Sequence, residues 1–211
     1  MPQKTYKSIV YIDGLNLYYG ALKGGQNKWL DLQRYFRLLR PHDDIQEIFY
    51  FTTRVSGKSQ ADQKAYLSAL ASLPLVTTVE GRFKPRRLRC LVRRCTLPGD
   101  RTFTRLEEKR TDVNIAVHML EDAFADRCDA FVLVTGDSDL VPAVTSIKRN
   151  FPHKKVYVYV PSQYIKRSHA VELRNVADRH WNLPLQVLRH AQLPATLPDG
   201  AGGTLTKPAD W

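Results

Sequence analysis

Four aspartates carry the chemistry that this sequence offers. Asp13 ends the run SIVYIDG, and Asp137 and Asp139 follow AFVLVTG. Both runs read as strands, one short and β-branched, the other continuously apolar. If the two strands are neighbours in one sheet, these three carboxylates meet at a single edge. Gly14 and Gly136 are placed to let the backbone turn sharply there. Asp137 and Asp139 flank Ser138, so one tight turn presents both. Asp112 stands in the first turn of a predicted helix, where a negative charge suits the helix dipole. Converging carboxylates without a matching basic cluster repel each other unless a cation lies between them. Mg²⁺ and Mn²⁺ prefer such oxygen ligands. One or two ions so held would orient a water, lower its pKa and offset charge on a scissile phosphate. Each acid alone has a simpler reading. Asp13 can cap the next helix, Asp137 or Asp139 the helix at Leu140, and Asp112 can serve only the dipole. Their joint placement at strand ends favours a site.

The elements that must position these acids alternate along the chain. Strands are predicted at Ser8 to Ile12, Ile45 to Thr53, Leu75 to Phe83, Ala130 to Gly136 and Lys154 to Val160. Between them lie helical patterns. Asp31 opens the first, Ser59 with Asp62 forms a capping-box-like start to the second, and Thr111 is the expected N-cap of the third. A further helix follows Asp137 with Pro142 in its first turn, and Ser168 is placed to cap another through Val171 and Leu173. Strands alternating with helices predict an α/β sandwich around a mostly parallel sheet. Ligands of such sheets bind beyond the carboxyl ends of the strands, at the topological switch point. Residues 1–183 read as one domain carrying an inserted arm at 82–110. Residues 184–211, rich in Pro, Gly and Ala, read as a tail at the surface or loose, with Trp211 placed to pin it.

Net charge is +11, and its distribution is uneven. From Arg82 to Arg110 there are eleven Lys/Arg against Asp100, Glu107 and Glu108, a surplus of eight. Pro98-Gly99-Asp100 divides the stretch and suggests a hairpin. Clustered positive charge attracts a phosphate backbone without reading sequence; the bland reading is a solvated basic loop. Lys109 and Arg110, beside Asp112, are placed to grip a phosphate, with Arg86, Arg87, Arg93 and Arg94 further along the arm. Tyr18, Tyr19 and Trp29 read as core or rim aromatics rather than base-stacking platforms. Cys90, Cys95 and Cys128 are too few and odd in number for a disulfide scaffold. Cys90 and Cys95 supply at most half of a zinc site, and two thiols facing each other on a hairpin is the simpler account. No apolar run approaches membrane length and the start MPQKTYKSIVYIDG lacks a signal-peptide pattern, so a reducing cytoplasm is expected.

The blocks IVYIDGLNLYYG, EKRTDVNIAVHML and FVLVTGDSDLVPAV together resemble the signature blocks of the NYN domain family (LabA-like, DUF88) within the PIN-like superfamily. The resemblance covers most of residues 8 to 160. It implies a three-layer α/β/α fold, metal-dependent ribonuclease activity with Mg²⁺ or Mn²⁺, and an acidic site matching Asp13, Asp112, Asp137 and Asp139. It also implies a polar contact near metal or phosphate from Asn16, while Ser138 is placed to bond the acids or substrate. The chain departs from the family at His118, where members often carry another Asp, and at Thr135 in place of Ser. Six residues along a helix rotate about 240°, so His118 reads as a half-buried packing residue rather than a ligand.

Three functions are therefore distinguished. The first is a metal-dependent endoribonuclease acting on RNA, with a homodimer allowed. The second is a non-catalytic RNA-binding module using the same arm. The third is an enzyme acting on a small molecule or nucleotide in the same acidic pocket.

Overall fold

The computed structural model describes residues 5–96, 99–162, 170–199, 202–209 and Trp211. Its centre is a six-stranded, all-parallel sheet. In chain order the strands are β1 (Lys7–Asp13), β2 (Asp44–Thr52), β3 (Val76–Glu80), β6 (Ala130–Val134), β7 (Lys155–Val160) and β8 (Arg179–Asn182). They lie side by side in the order β3-β2-β1-β6-β7-β8. The chain builds outward from β1 to β3, then returns to the other side of β1 and builds outward again to β8. The direction of winding thus reverses between β1 and β6, which pair directly from Ser8↔Ala130 to Ile12↔Val134. That is the switch point where an open α/β sheet leaves a crevice at its carboxyl edge.

Alternation of side chains along each strand assigns two cores. Val10, Ile12, Ile48, Tyr50, Val132 and Val134 face one layer, formed by α2 (Leu32–Leu39), α3 (Gln60–Ala71) and the C-terminal segment. Ile9, Tyr11, Phe49, Phe51, Phe131 and Leu133 face the other. That layer holds α4 (Thr111–Phe124), α5 (Val141–Asn150) and α6 (Val171–Val176). Because both faces are covered, β1 and β6 are buried along almost their whole length. The result is the expected three-layer sandwich.

Local details differ from the sequence expectation in instructive ways. The run Leu75 to Phe83 is not one strand. Gly81 donates the last rung to the Thr52 carbonyl (2.7 Å), β2 ends there, and the chain leaves the sheet as β4 (Arg82–Arg89). β4 pairs antiparallel with β5 (Thr102–Lys109), and this two-stranded hairpin is the basic arm. Ser59 precedes α3 but makes no side-chain cap. Its ψ of 1° is not the extended conformation from which a cap hydroxyl reaches back. Asp31 does cap α2, accepting from the Arg34 N–H at 2.8 Å. Ser168 and Pro98 lie outside the described residues; α6 itself is present.

The segment after Pro184 was expected at the surface or loose, yet part of it belongs to the core. Leu188, Ala191 and Leu193 are buried. The Trp29 indole donates to the Pro194 carbonyl at 2.7 Å, and Asp31 N–H to the Ala191 carbonyl at 2.8 Å. Trp211 rests against Tyr66 and Trp29, with ring centroids 5.4 and 6.4 Å away. Pro and Gly mark the turns of this segment, but its few large apolar groups fill a gap left beside α2. Among the described residues no helix is long and apolar enough to cross a membrane.

Candidate functional site

Asp13 is the last residue of β1 and caps α1 (Gly14–Leu17), its Oδ1 accepting from the Asn16 N–H at 2.9 Å. Its Oδ2 accepts from Asn16 Nδ2 at 2.9 Å and from the Thr135 hydroxyl at 3.1 Å. The cap reading of Asp13 holds, and its second oxygen is spent on Asn16 and Thr135. Asn16 reaches onward: its Oδ1 accepts from the Gly136 N–H at 3.1 Å. This stitches the end of β1 to the end of β6. Gly14 does not serve a sharp turn. A Cβ there would meet the Phe51 carbonyl at 2.6 Å and the Tyr50 ring at 2.7 Å, so the requirement is close approach to β2. Gly136 likewise has no positive φ.

After β6 the Thr135 hydroxyl accepts from the Asp137 N–H at 3.1 Å. Asp137 in turn caps the short 3₁₀ turn Ser138–Leu140, its Oδ1 accepting from the Asp139 N–H at 3.0 Å. Asp112 enters from α4. Its helix starts one residue earlier than expected, at Thr111, and Thr111 is not the cap. The Glu108 carboxylate, projecting from the end of β5, accepts from both the Thr111 N–H (3.2 Å) and hydroxyl (2.5 Å), and from the Thr53 hydroxyl at 3.2 Å. A Cβ on Gly81 would lie 2.7 Å from Glu108 Oε1, so only glycine lets this carboxylate seat itself. Between Glu108 and Thr111, Arg110 adopts φ 86°, a left-handed conformation costly for a residue with a Cβ.

The outcome is a cluster of three. One carboxylate oxygen each from Asp112, Asp137 and Asp139 lies within 4.8 Å of the others, open to solvent at Asp139. Asp13 is buried and tied up by Asn16 and Thr135, so it sits behind this group. Its charge is nonetheless felt there. Burial raises the Asp112 carboxyl, and the neighbouring charges of Asp13, Asp137, Glu108 and Asp139 add to the effect, bringing it to about 6. Burial also raises the Asp13 carboxyl, opposed by its hydrogen bonds from Asn16 and Thr135. Carboxyls raised by burial and mutual repulsion are frequent at functional sites, and structural charge networks raise them too.

The basic candidates divide by position. By register, Arg82/Lys109, Lys84/Glu107 and Arg86/Arg105 are directly opposed pairs two residues apart. They therefore share one face of the arm: five cations with a single anion. Glu107 takes Arg86 at 3.2 Å and Lys109 at 3.1 Å. Arg86 opposite Arg105 is unfavourable unless an anion faces both. On the other face Arg87 pairs with Asp100 at 3.1 Å. Arg93 and Arg94 are exposed in the tip loop. Eight-residue strands put that tip roughly 26 Å from the arm's base. Lys109 and Arg110 lie at the base, three and two residues from Asp112, and both are exposed. Ser138 is exposed between the acids, whereas Asn16 is committed to Asp13 and Gly136.

Sequence reasoning passed over Glu108 and Thr135 as site residues. The only hint of Glu108 was its place three residues before Thr111. Thr135 was seen as a family substitution, but its hydroxyl bridges Asp13 and the Asp137 N–H. His118 lies off the site: its ring packs on Phe49 and Phe51 at 5.0 and 5.2 Å, and Nδ1 meets the Asn114 carbonyl at 2.9 Å. Trp29 is wholly buried, while Tyr19 is exposed beneath Lys23, whose Nζ lies 4.8 Å from its centroid. Cys90 and Cys95 have no third metal-binding partner among the described residues.

The chain is 29% identical to 6-hydroxy-3-succinoylpyridine 3-monooxygenase HspA of Pseudomonas putida, over an alignment of 248 residues that spans 100% of this chain and 77% of the relative. A solved structure of a Vibrio parahaemolyticus protein of unknown function matches with a TM-score of 0.51 and 18% identity, covering 87% of this chain and 96% of that one. At that identity the likeness speaks for the fold. The NYN domain profile matches residues 7–184, which takes in every strand of the sheet, the basic arm and all four aspartates. The chain belongs to the NYN domain family, a PIN-like nuclease family.

Proposed function

We propose that this NYN domain is a divalent-metal-dependent endoribonuclease. The observation that carries the reading is the convergence of Asp112, Asp137 and Asp139 within 4.8 Å at the switch-point edge. The donor set fits a hard cation. Mg²⁺–oxygen distances near 2.1 Å put ligand oxygens about 3 to 4 Å apart, a small side-chain rotation from the spacing present. These three residues would hold the ion, and Asp13 would position Asn16 and Thr135 behind them. A bound Mg²⁺ or Mn²⁺ supplies Lewis acidity to a water and charge to offset that of the scissile phosphate. The chain's own residues do the rest. Lys109 and Arg110 flank the acids and receive the phosphate, and the cationic face of the arm tracks the backbone leading to it. Asp137, fixed by the Thr135 hydroxyl and the Asp139 N–H, keeps one oxygen aimed at the cluster.

The test is cleavage of a mixed RNA and a single-stranded DNA with Mg²⁺, Mn²⁺ or EDTA, comparing wild type with Asp137→Asn. RNA products that need the divalent ion and vanish in a folded variant support the proposal. Products that persist in EDTA or in Asp137→Asn overturn it. Salt-dependent RNA retention without cleavage selects the non-catalytic binding module instead.

A second reading has one observation behind it. The relative that matches the whole chain is named as a monooxygenase of a succinoylpyridine. On that reading the acidic edge serves a small aromatic acid. Saturable binding of 6-hydroxy-3-succinoylpyridine, with RNA failing to compete, would favour it over nucleolysis.

A further inference from the structure

The tip of the arm holds chemistry that phosphodiester cleavage does not use. Cys90 follows β4 directly, and its N–H donates to the Arg101 carbonyl at 2.8 Å across the hairpin. Five residues on, the Cys95 N–H donates to the Val92 carbonyl at 3.2 Å. The first bond ties Cys90 to the opposite side of the hairpin, and the second closes a turn from Val92 to Cys95. The Cys95 thiol hydrogen-bonds the Cys90 sulfur, which also accepts from the Val92 N–H, and the Arg101 guanidinium lies nearby. These donors and this charge stabilise a thiolate, and they hold Cys90 below the ordinary thiol range. Both cysteines are half-exposed. The third, Cys128, is the internal contrast: it is buried, and burial pushes its thiol up to about 12.

We propose that Cys90 and Cys95 form a thiol–disulfide exchange pair, Cys90 attacking and Cys95 resolving, that reacts with low-molecular-weight disulfides. The Cys90 thiolate attacks one sulfur of the small disulfide. That S–S bond breaks, a Cys90 mixed disulfide forms, and one small thiol leaves carrying a proton. Cys95, already beside the Cys90 sulfur, then attacks it. The mixed bond breaks, the Cys90–Cys95 bond forms, and the second small thiol leaves with the other proton. Two protein thiols are oxidised and one small disulfide is reduced to two thiols. The ring so closed contains Arg93 and Arg94, so oxidation fixes the presentation of the two tip arginines. The pair is independent of the reaction at the acidic edge.

The experiment treats the reduced full-length protein with oxidised glutathione and follows intact mass, peptide mapping and free-thiol titration. Wild type is expected to lose two hydrogens, to retain no glutathione and to keep one titratable thiol, Cys128, after unfolding. Cys95→Ser is expected to accumulate one glutathione on Cys90. Cys90→Ser is expected to react about ten-fold more slowly. Both positions lie at the exposed tip, away from either core, and circular dichroism checks that the variants fold. A stable glutathione adduct on wild type, a disulfide between two chains, or an unchanged rate in Cys90→Ser overturns the proposal.

Discussion

Replacing Asp112 by Asn removes one carboxylate of the cluster while keeping its shape. In the metal-free protein the Asp112 carboxyl sits at about 6 against an ordinary 3.8. The folded state therefore binds a proton that the unfolded chain releases, and the associated stability is fully present below about pH 4 and lost as pH rises through 6. At pH 7 the ionised carboxylate works against folding. A shift of about two pH units corresponds to a ceiling of about 3 kcal/mol. Asp112 is only half-buried, so solvent screening reduces this to about 1 kcal/mol. For a domain of this size that is about 2 to 4 °C in melting temperature. Asp112→Asn should accordingly melt higher than wild type in EDTA at pH 7, and the gap should narrow as pH falls through 6, to about half by pH 5. A divalent ion reverses the order. At a hundredfold excess over Kd it stabilises wild type by about 2.7 kcal/mol, and the variant, lacking one of three ligands, should gain much less. The assay is thermal melting in EDTA, Mg²⁺ and Mn²⁺ across pH 5 to 8. A variant that melts at or below wild type in EDTA at pH 7, or keeps the full metal-induced shift, refutes the reasoning.

Other outcomes follow from the same geometry. Thr135→Val removes the hydroxyl that bridges Asp13 and the Asp137 N–H, and should lower divalent-dependent cleavage at least ten-fold while costing about 1 to 2 kcal/mol in chemical denaturation; cleavage at the wild-type rate would deny it a positioning role. Arg86→Ala with Arg105→Ala should weaken RNA retention uniformly across sequences and reduce the salt slope by roughly 0.7 per lost phosphate contact, read by filter binding over a salt series. Asp122→Ala strands the buried Tyr11 hydroxyl, which donates to Asp122 Oδ2 at 2.6 Å, and releases Arg127 from its 2.7 Å pair. A loss of about 2 to 4 kcal/mol in urea unfolding is expected. Deleting residues 184–211 uncovers Trp29 and Tyr66 and should abolish cooperative melting, whereas a loose tail would leave the melting curve unchanged.

Much of this was legible in the residues. Period-2 and continuous apolar runs fixed β1, β2, β6 and β7, because a strand covered on both faces must be apolar at every position. Asp31 announced α2, and charge counting announced the arm. Strand ends followed by acids announced Asp13, Asp137 and Asp139, since the carboxyl edge of a parallel sheet is where a chain presents groups to a crevice. Tertiary structure decided what local pattern cannot encode. It put β1 beside β6, divided the four acids into three that converge and one that is buried behind them, and committed Asn16 to holding strand ends together. It recruited Glu108 to cap α4 from 3 residues upstream, across a left-handed Arg110. It drew Leu188 and Leu193 into the core, seated Trp211 against it, and added β8 at the sheet edge, where RHWN carries little apolar signal. Each of these depends on which segments become neighbours in space. Pairing is chosen by the whole burial balance of the chain, whereas periodicity reports only the faces that each segment has to bury.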